Sequence, residues 1–517
     1  MTMTIAEIFD LTVSKFPEKE ALYDVRKDLR FTYREWADEV NGLAQALHVA
    51  GVKKGDRVST YLYNTEELAT TFFACAKIGA VFNPINFRLM SEELSFIISD
   101  AEPKVFIFEE TLQTAVEKVA NSFPTVQFWS IDGNHPPFAK SYHEQIKAVN
   151  RENVEVELSS DDLYAIMYTS GTTGRPKGVL HLHKDMTEQS LIVIHALNYH
   201  QNDNGLVAAP MFHCAELHCA FLPRVHIGAK STILHQFDAK KALALIDSEK
   251  ITAFFAAPTM WNMLLQENLQ AYNLSTLEKG LYGAAPMAPS LVFACREKLG
   301  VKLTQAYGMT EMGPAITFLS DEDQIRKAGS AGQACLNHEI RIVAPNDNGH
   351  SYDDQVVPTG TVGEIIVRGP SMMQGYYKRE EATKKALHNG WYHSGDMGYL
   401  DDEGFLYVKD RVDDMVISGG ENIYPREVED VIHAHPSVLD VAVLGVPDEH
   451  WGEVVIAYVV KKEGNITAEI LDAFCKQSES LANYKRPRRY EFVESLPRNA
   501  SGKIQKFVLR NQEQLQK

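Results

Sequence analysis

Apolar and polar positions change period repeatedly along the first third of the chain. Thr32-Tyr-Arg-Glu35 has the spacing of a capping box and opens an amphipathic helix that stops at Gly51. Val58 to Tyr63 then reads as a strand, 65 to 78 as a helix ending at Gly79, and Ser91 as the start of another helix. Lys104 to Phe108 reads as the next buried strand. Such βα alternation predicts sheets with a strong parallel component covered by helices.

Between 340 and 410 the runs shorten and become β-like, as in Glu339 to Val343 and Glu364 to Arg368, with Gly, Pro, Asn and Asp between them. Beyond Arg411 strands are expected at Val438 to Val446 and Val454 to Val460, and helices at Glu429 to Ala434 and Ala468 to Ser478. A chain of 517 residues is too long for one core. The expected fold is therefore α/β. Residues 1–411 form a large N-terminal body of two βα-layered subdomains plus a β-rich subdomain, and residues 412–517 form a small α+β C-terminal domain.

Charge removes several function classes. Fifty-one basic against sixty-nine acidic residues give a net charge of −18, which opposes general attraction to nucleic acid or anionic lipid. The start, MTMTIAEIFD, lacks a basic leader, and the apolar stretch Leu68 to Ile85 is interrupted by Lys77, so no stable membrane insertion and a cytoplasmic location are expected. Six cysteines without a CxxC do not form a disulfide framework. His213, Cys214, His218 and Cys219 crowd four possible metal ligands into seven residues, but structural zinc sites draw paired ligands from separated segments.

The segment richest in chemistry is Tyr168-Thr-Ser-Gly-Thr-Thr-Gly-Arg-Pro-Lys-Gly-Val179. Its glycines let backbone N–H groups approach an anion, its hydroxyls add donors, and Arg175 and Lys177 add positive charge. It is a phosphate-binding loop but not a Walker A loop, because Pro176 precedes Lys177 and Gly178 follows it. Apolar Leu163 to Met167 and Val179-Leu180 suggest that it joins two buried elements.

This loop resembles the signature of the adenylate-forming superfamily of acyl-CoA synthetases, luciferases and adenylation domains. Seven further segments match in the family's order: Pro210-Met-Phe-His213, Tyr282-Gly-Ala-Ala-Pro-Met287, Gln305-Ala-Tyr-Gly-Met-Thr-Glu311, Ser394-Gly-Asp396, Asp410-Arg-Val-Asp413, Gly419 to Pro425 and Pro497 to Lys503. The general likeness is to bacterial medium- or long-chain fatty-acid:CoA ligases, with aryl-CoA ligases nearby.

The resemblance implies ATP, Mg²⁺ and CoA as cofactor and co-substrates, a small carboxylic acid as partner, and leaves a homodimer open. It implies that Thr169, Ser170, Gly171, Thr172, Thr173, Gly174 and Lys177 hold phosphates. Gly283, Ala284, Ala285, Gln305, Ala306, Tyr307, Gly308 and Thr310 would bind the nucleotide, Tyr307 and the backbone of Gly283 to Ala285 at adenine, and Asp396 with Arg411 would hold the ribose. Glu311 and Thr172 would lie at the metal, Lys503 would reach the reacting carboxylate and α-phosphate, and His213 would gate the acyl site. Asp413 would be the hinge of a mobile C-terminal domain, with Gly419 and Gly420 passing the pantetheine arm.

The acyl pocket is expected at His213, Cys214, Leu217, Met260, Gly308 and Pro314, with Ala215, Cys219, Ala220, Phe221 and Leu222 adding apolar surface. No lysine or arginine stands at an obvious pocket position, which favours a fatty or aromatic monoacid. Glu216 and His218 disturb that picture: facing the pocket they would admit a polar acyl group, and facing solvent they would favour a fatty acid. An aryl- or polar-acid ligase, or an adenylation enzyme loading a carrier protein, stays open. A locally basic stretch, Lys485 to Arg510, suits the phosphates of CoA.

Overall fold

The computed structural model describes residues 3–169, 176–285, 287–345, 351–411, 414, 416–418, 421–448, 451–462, 466–478, 481–498 and 504–515. The chain divides into two compact units, Met1–Glu339 with Arg368–Lys385, and Ile340–Val367 with Ala386–Lys517. The boundary expected at 411/412 falls inside the second unit.

In the first unit the Thr32 capping box is present and opens the helix Tyr33–Val49. The strand Arg57–Tyr61, the helix Glu66–Ile78 and the strand Val105–Phe108 follow in the expected order. Gly79 ends the middle helix in the left-handed region at φ 67°, where glycine carries no Cβ penalty. Every residue of Glu66–Ile78 is buried. One apolar cluster explains this, since it joins Leu22 and Val207 of one sheet, Val58, Val105 and Ala165 of another, and Trp36, Phe72 and Phe73 from helices. The two sheets therefore share a layer of helices.

The first of these sheets orders Gln333–Ala334, Ala315–Leu319, Lys302–Gly308, Lys279–Tyr282, Ala253–Phe255, Asn204–Val207, Lys230–Ile233, Glu20–Asp24 and Leu29–Thr32. Its middle is parallel and its margins antiparallel. In the second, parallel strands from Ala139–Ser141 to Leu163–Thr169 meet the antiparallel pair Lys177–Leu182 and Gly375–Tyr376. The phosphate loop thus leaves one sheet strand and re-enters the next beside it.

The second unit contains the antiparallel sheet built on Glu339–Pro345, Gly363–Arg368 and Trp391–Leu400. It also holds a sheet in which Val438–Asp448 and Gly452–Lys461 form a long hairpin, covered by the helices Pro425–His433 and Ala468–Gln477.

Candidate active site

Strands Lys279–Tyr282 and Lys302–Gly308 are parallel neighbours with Tyr282 opposite Gln305, so their carboxyl ends deliver Gly283 to Ala285 and Ala306 to Gly308 side by side. Crevices at the carboxyl ends of parallel strands are where α/β folds hold nucleotides. Approach is close: a Cβ on Gly283 would stand 2.7 Å from the Ala306 carbonyl oxygen. A Cβ on Gly308 would lie 1.8 Å from that of Pro314, whose oxygen accepts from the Met309 N–H at 3.0 Å. Ala284 takes a left-handed φ of 64°. The Tyr282 hydroxyl, 2.9 Å from Gln305 Oε1 and 2.7 Å from Gln324 Oε1, fixes the strand behind this turn.

Thr310 and Glu311 follow at once and are gripped from several elements. The Thr310 carbonyl oxygen lies 2.7 Å from His181 Nε2, on the strand that leaves the phosphate loop. Its hydroxyl is 3.3 Å from the Cys214 thiol, on the helix after Pro210. Glu311 is buried, and its Oε1 accepts from the Tyr376 hydroxyl at 2.9 Å. The Lys177 ammonium stands 4.6 Å from the centre of the same tyrosine ring. Lys177, Thr310, Glu311, His213 and Cys214 thus belong to one contiguous region. Thr169, last residue of the strand Leu163–Thr169, lies opposite Lys177.

His213 is partly buried and caps the helix that starts at Cys214, accepting from the Ala215 N–H at 3.2 Å. Desolvation lowers its pKa to about 4 and that of His181 to about 4, while burial pushes the Cys214 thiol up to about 12. All three are neutral near pH 7. They supply shape and hydrogen bonds rather than charge.

Beyond Cys214 the helix contains a π turn, Leu217–Phe221, a feature that re-aims side chains. Ala215, Cys219 and Ala220 pack in one apolar cluster with Met260 and Ala306. Leu217, Phe221 and Leu222 belong instead to the cluster of Phe72 and Tyr164, in the layer between the sheets. Pro314 lies beside Gly308, as described.

Glu216 and His218 face neither of the environments expected for them as unpaired groups. Both are fully buried. Glu216 pairs with Arg224 at 3.4 Å, and His218 Nε2 meets the Tyr164 hydroxyl.

In the second unit Asp396 is buried, and it stands opposite Arg411 in the pairing of Trp391–Leu400 with Leu406–Arg411. Its N–H donates to the Ser394 hydroxyl at 3.0 Å. Ser170, Gly171, Thr172, Thr173 and Gly174, together with Asp413, Gly419, Gly420 and Lys503, lie outside the described residues.

Tyr376 and Asp100 were not anticipated from the sequence. The Asp100 carboxylate accepts from Tyr168 at 2.7 Å and from Arg379 at 2.9 Å, tying the strand before the phosphate loop to the segment after Tyr376. The available signal was Gly375-Tyr-Tyr377, an aromatic pair directly after a glycine.

Among the described residues no three His, Cys, Asp or Glu side chains are grouped to hold a metal. The buried Glu311 carboxylate, with one oxygen held by Tyr376, could offer its other oxygen to a cation, and phosphate oxygens and water would complete the shell. That donor set fits Mg²⁺, which keeps several waters and is carried by nucleotide phosphates. Among the described residues no helix is long and apolar enough to cross a membrane.

Residues 9–377 match the AMP-binding enzyme family, and residues 427–503 match the AMP-binding enzyme C-terminal domain. The chain is 36% identical over 500 residues to a long-chain-fatty-acid–CoA ligase of Mycobacterium tuberculosis, covering 96% of each. It is 37% identical over 483 residues to a feruloyl-CoA synthase of Amycolatopsis, covering 93% of each. Among solved structures it is similar to o-succinylbenzoate CoA synthetase of Bacillus subtilis in complex with ATP and magnesium ion, with a TM-score of 0.85, 33% identity and 98% coverage of each chain. A glycine-rich segment that is not a Walker loop, a buried Glu311 on the turn after Gly308 and a matching C-terminal domain thus have one account: the chain belongs to the AMP-binding enzyme family and is an AMP-forming acid:CoA ligase.

Proposed function

We propose that this ligase activates an apolar monocarboxylic acid, with medium- or long-chain fatty acids preferred. The observation that carries this is the cluster in which Ala215, Cys219, Ala220 and Met260 pack with Ala306 of the nucleotide turn. An acyl group bound next to the adenylate would meet that uncharged wall. Arg224, the cation nearest to this helix in sequence, is engaged by Glu216, which argues against a second carboxylate on the substrate. An aryl acid is the second reading, favoured by the feruloyl-CoA synthase relative and by the small side chains of Ala215 and Ala306, which suit a flat ring.

The reaction runs in two steps. The substrate carboxylate attacks the α-phosphorus of ATP in line and pyrophosphate leaves; the CoA thiolate then attacks the acyl carbonyl and AMP leaves. Catalysis of the first step is positioning and charge neutralisation. Lys177 and the phosphate loop, with Thr172, would hold phosphates, and Glu311 the metal. Mg²⁺ when bound would neutralise phosphate charge. Gly283 to Ala285 and Tyr307 would embrace adenine, Asp396 and Arg411 the ribose hydroxyls, and Lys503 the developing charge between carboxylate and α-phosphate. The C-terminal domain from 412 would turn about Asp413, withdrawing Lys503 and bringing Gly419 and Gly420 to the thiol. Six buried free thiols suit a reducing, cytoplasmic setting.

The test is CoA-dependent AMP release across fatty acids of graded length, cinnamic-type acids and dicarboxylates. Highest kcat/KM on a medium or long fatty acid is expected. A dicarboxylate as best substrate would overturn the apolar wall as the acyl site.

A further inference from the structure

Tyr376 stands where the phosphate side and the metal side of the site meet. Its hydroxyl donates to Glu311 Oε1 at 2.9 Å, and its ring lies 4.6 Å from the Lys177 ammonium. Its backbone is fixed by pairing with Val179, two residues after Lys177. The residues just before it hold the backbone around Glu311. The Met373 N–H donates to the Glu311 carbonyl at 2.8 Å, and the Ser371 hydroxyl to the Met312 carbonyl at 2.7 Å. Just after it, Arg379 and Tyr168 share Asp100. One short segment therefore fastens the strand before the phosphate loop, the strand after it, and the Thr310-Glu311 turn.

A glutamate offers two oxygens on a side chain with three rotatable bonds. Mg²⁺ accepts only near-octahedral geometry with short bonds. A donor on one oxygen fixes the rotamer and leaves the other for the cation, as outer hydrogen bonds commonly do for metal-binding carboxylates. The aromatic face has a second effect. It offers the Lys177 ammonium a favourable seat, which competes with a direct ion pair to Glu311 that would consume the metal's oxygen.

We propose that Tyr376 is a positioning residue of the adenylation half-reaction: its hydroxyl aims Glu311 at the divalent cation of the metal–ATP complex, while its ring keeps Lys177 directed to the phosphates. This rests on Glu311 being the metal ligand.

Tyr376→Phe keeps the ring and removes one oxygen. Mn²⁺ binding, read by electron paramagnetic resonance in the presence of a non-hydrolysable ATP analogue, is measured beside the Mg²⁺ dependence of pyrophosphate exchange, with Glu311→Gln in parallel. A hydrogen bond to a charged group predicts a loss of roughly 10-fold or more in Mn²⁺ affinity for Tyr376→Phe. A comparable rise in the Mg²⁺ requirement is expected, with thioester formation from supplied acyl-adenylate unchanged. Wild-type Mn²⁺ affinity in Tyr376→Phe, with loss in Glu311→Gln, would overturn the role of Tyr376 and leave that of Glu311 standing. Wild-type affinity in both would remove Glu311 as ligand, and the proposal with it. Equal loss of both half-reactions in Tyr376→Phe would mark a merely structural tyrosine. If that variant does not fold, 3-fluorotyrosine in place of Tyr376, a stronger donor of nearly the same shape, should tighten Mn²⁺ binding; unchanged or weaker binding overturns the proposal.

Discussion

The Glu216 carboxylate and the Arg224 guanidinium meet 3.4 Å apart with neither side chain exposed to solvent. Glu216 Oε2 and Arg224 Nη1 are buried without a hydrogen-bond partner among the described residues, so the pair is incompletely satisfied. Breaking it from one side strands the other group in a low-dielectric interior. At about pH 9, above the Glu216 pKa raised to about 8, Glu216→Ala or Arg224→Ala should cost about 3–5 kcal/mol in denaturant unfolding, whereas the apolar double variant Glu216→Leu with Arg224→Met should recover most of that loss. Single losses under about 1 kcal/mol would mean that water reaches the pair.

The same burial gives a pH signature. Desolvation outweighs the neighbouring guanidinium and raises the Glu216 carboxyl from 4.5 to about 8. The folded state then holds a proton that the unfolded chain releases across this interval. The stabilisation is full below about pH 4.5, declines at up to about 1.4 kcal/mol per pH unit, and is lost as pH rises through about 8. Subtracting the unfolding free energy of Glu216→Gln from that of wild type, from pH 5 to 8, should expose this slope. A flat difference would show that Glu216 is ionised throughout.

Glu216 also shows why part of the site was hidden in the sequence. Arg224 lies eight positions further on, a spacing that a regular α-helix sets about 80° apart around its axis. The π turn at Leu217–Phe221 takes up an extra residue and moves i+8 toward where i+7 would stand. Hydrophobic periodicity cannot announce such a turn. The Thr32 capping box, and the presence of a buried element on each side of the phosphate loop, were legible because their signals are local, although that both are strands was not read. Tyr376 was not, because it meets Glu311 across 65 residues through strand pairing that only the folded sheet supplies.

His213 has a capping role and a proposed acyl-site role, which substitution can separate. Its ring nitrogen caps a helix, and its place beside Cys214 and Thr310 makes it a candidate wall for the acid. His213→Ala loses both and should lower stability by about 1 kcal/mol; His213→Asn restores a strong capping side chain and should recover most of it. Both should raise the KM for the acid, by about 10-fold, if the ring gates the acyl site. With its pKa lowered to about 4 by desolvation, the imidazole stays neutral from pH 6 to 8. The wild-type rate profile should therefore carry no limb in that range that His213→Asn removes. A limb that vanishes in the variant would show that the imidazole titrates.

If Lys503 is the proposed cation and Asp413 the proposed hinge, substitutions there should separate the two half-reactions, because a cation between the carboxylate and the α-phosphate helps only while phosphorus is under attack. Once the adenylate has formed, a side chain kept there would occupy space that the thiol needs. Lys503→Ala should therefore reduce pyrophosphate exchange by at least about 100-fold, the scale of removing one preorganised charge-stabilising group. Thioester formation from supplied acyl-adenylate should be largely retained. Asp413→Pro, which locks φ at the hinge, should give the opposite pattern, with adenylation preserved and thioester formation suppressed. Equal loss of both half-reactions in Lys503→Ala would exclude a role confined to the first. An unimpaired thioester step in Asp413→Pro would exclude rotation about that residue, since a fixed hinge could not exchange the lysine for the glycines at 419 and 420.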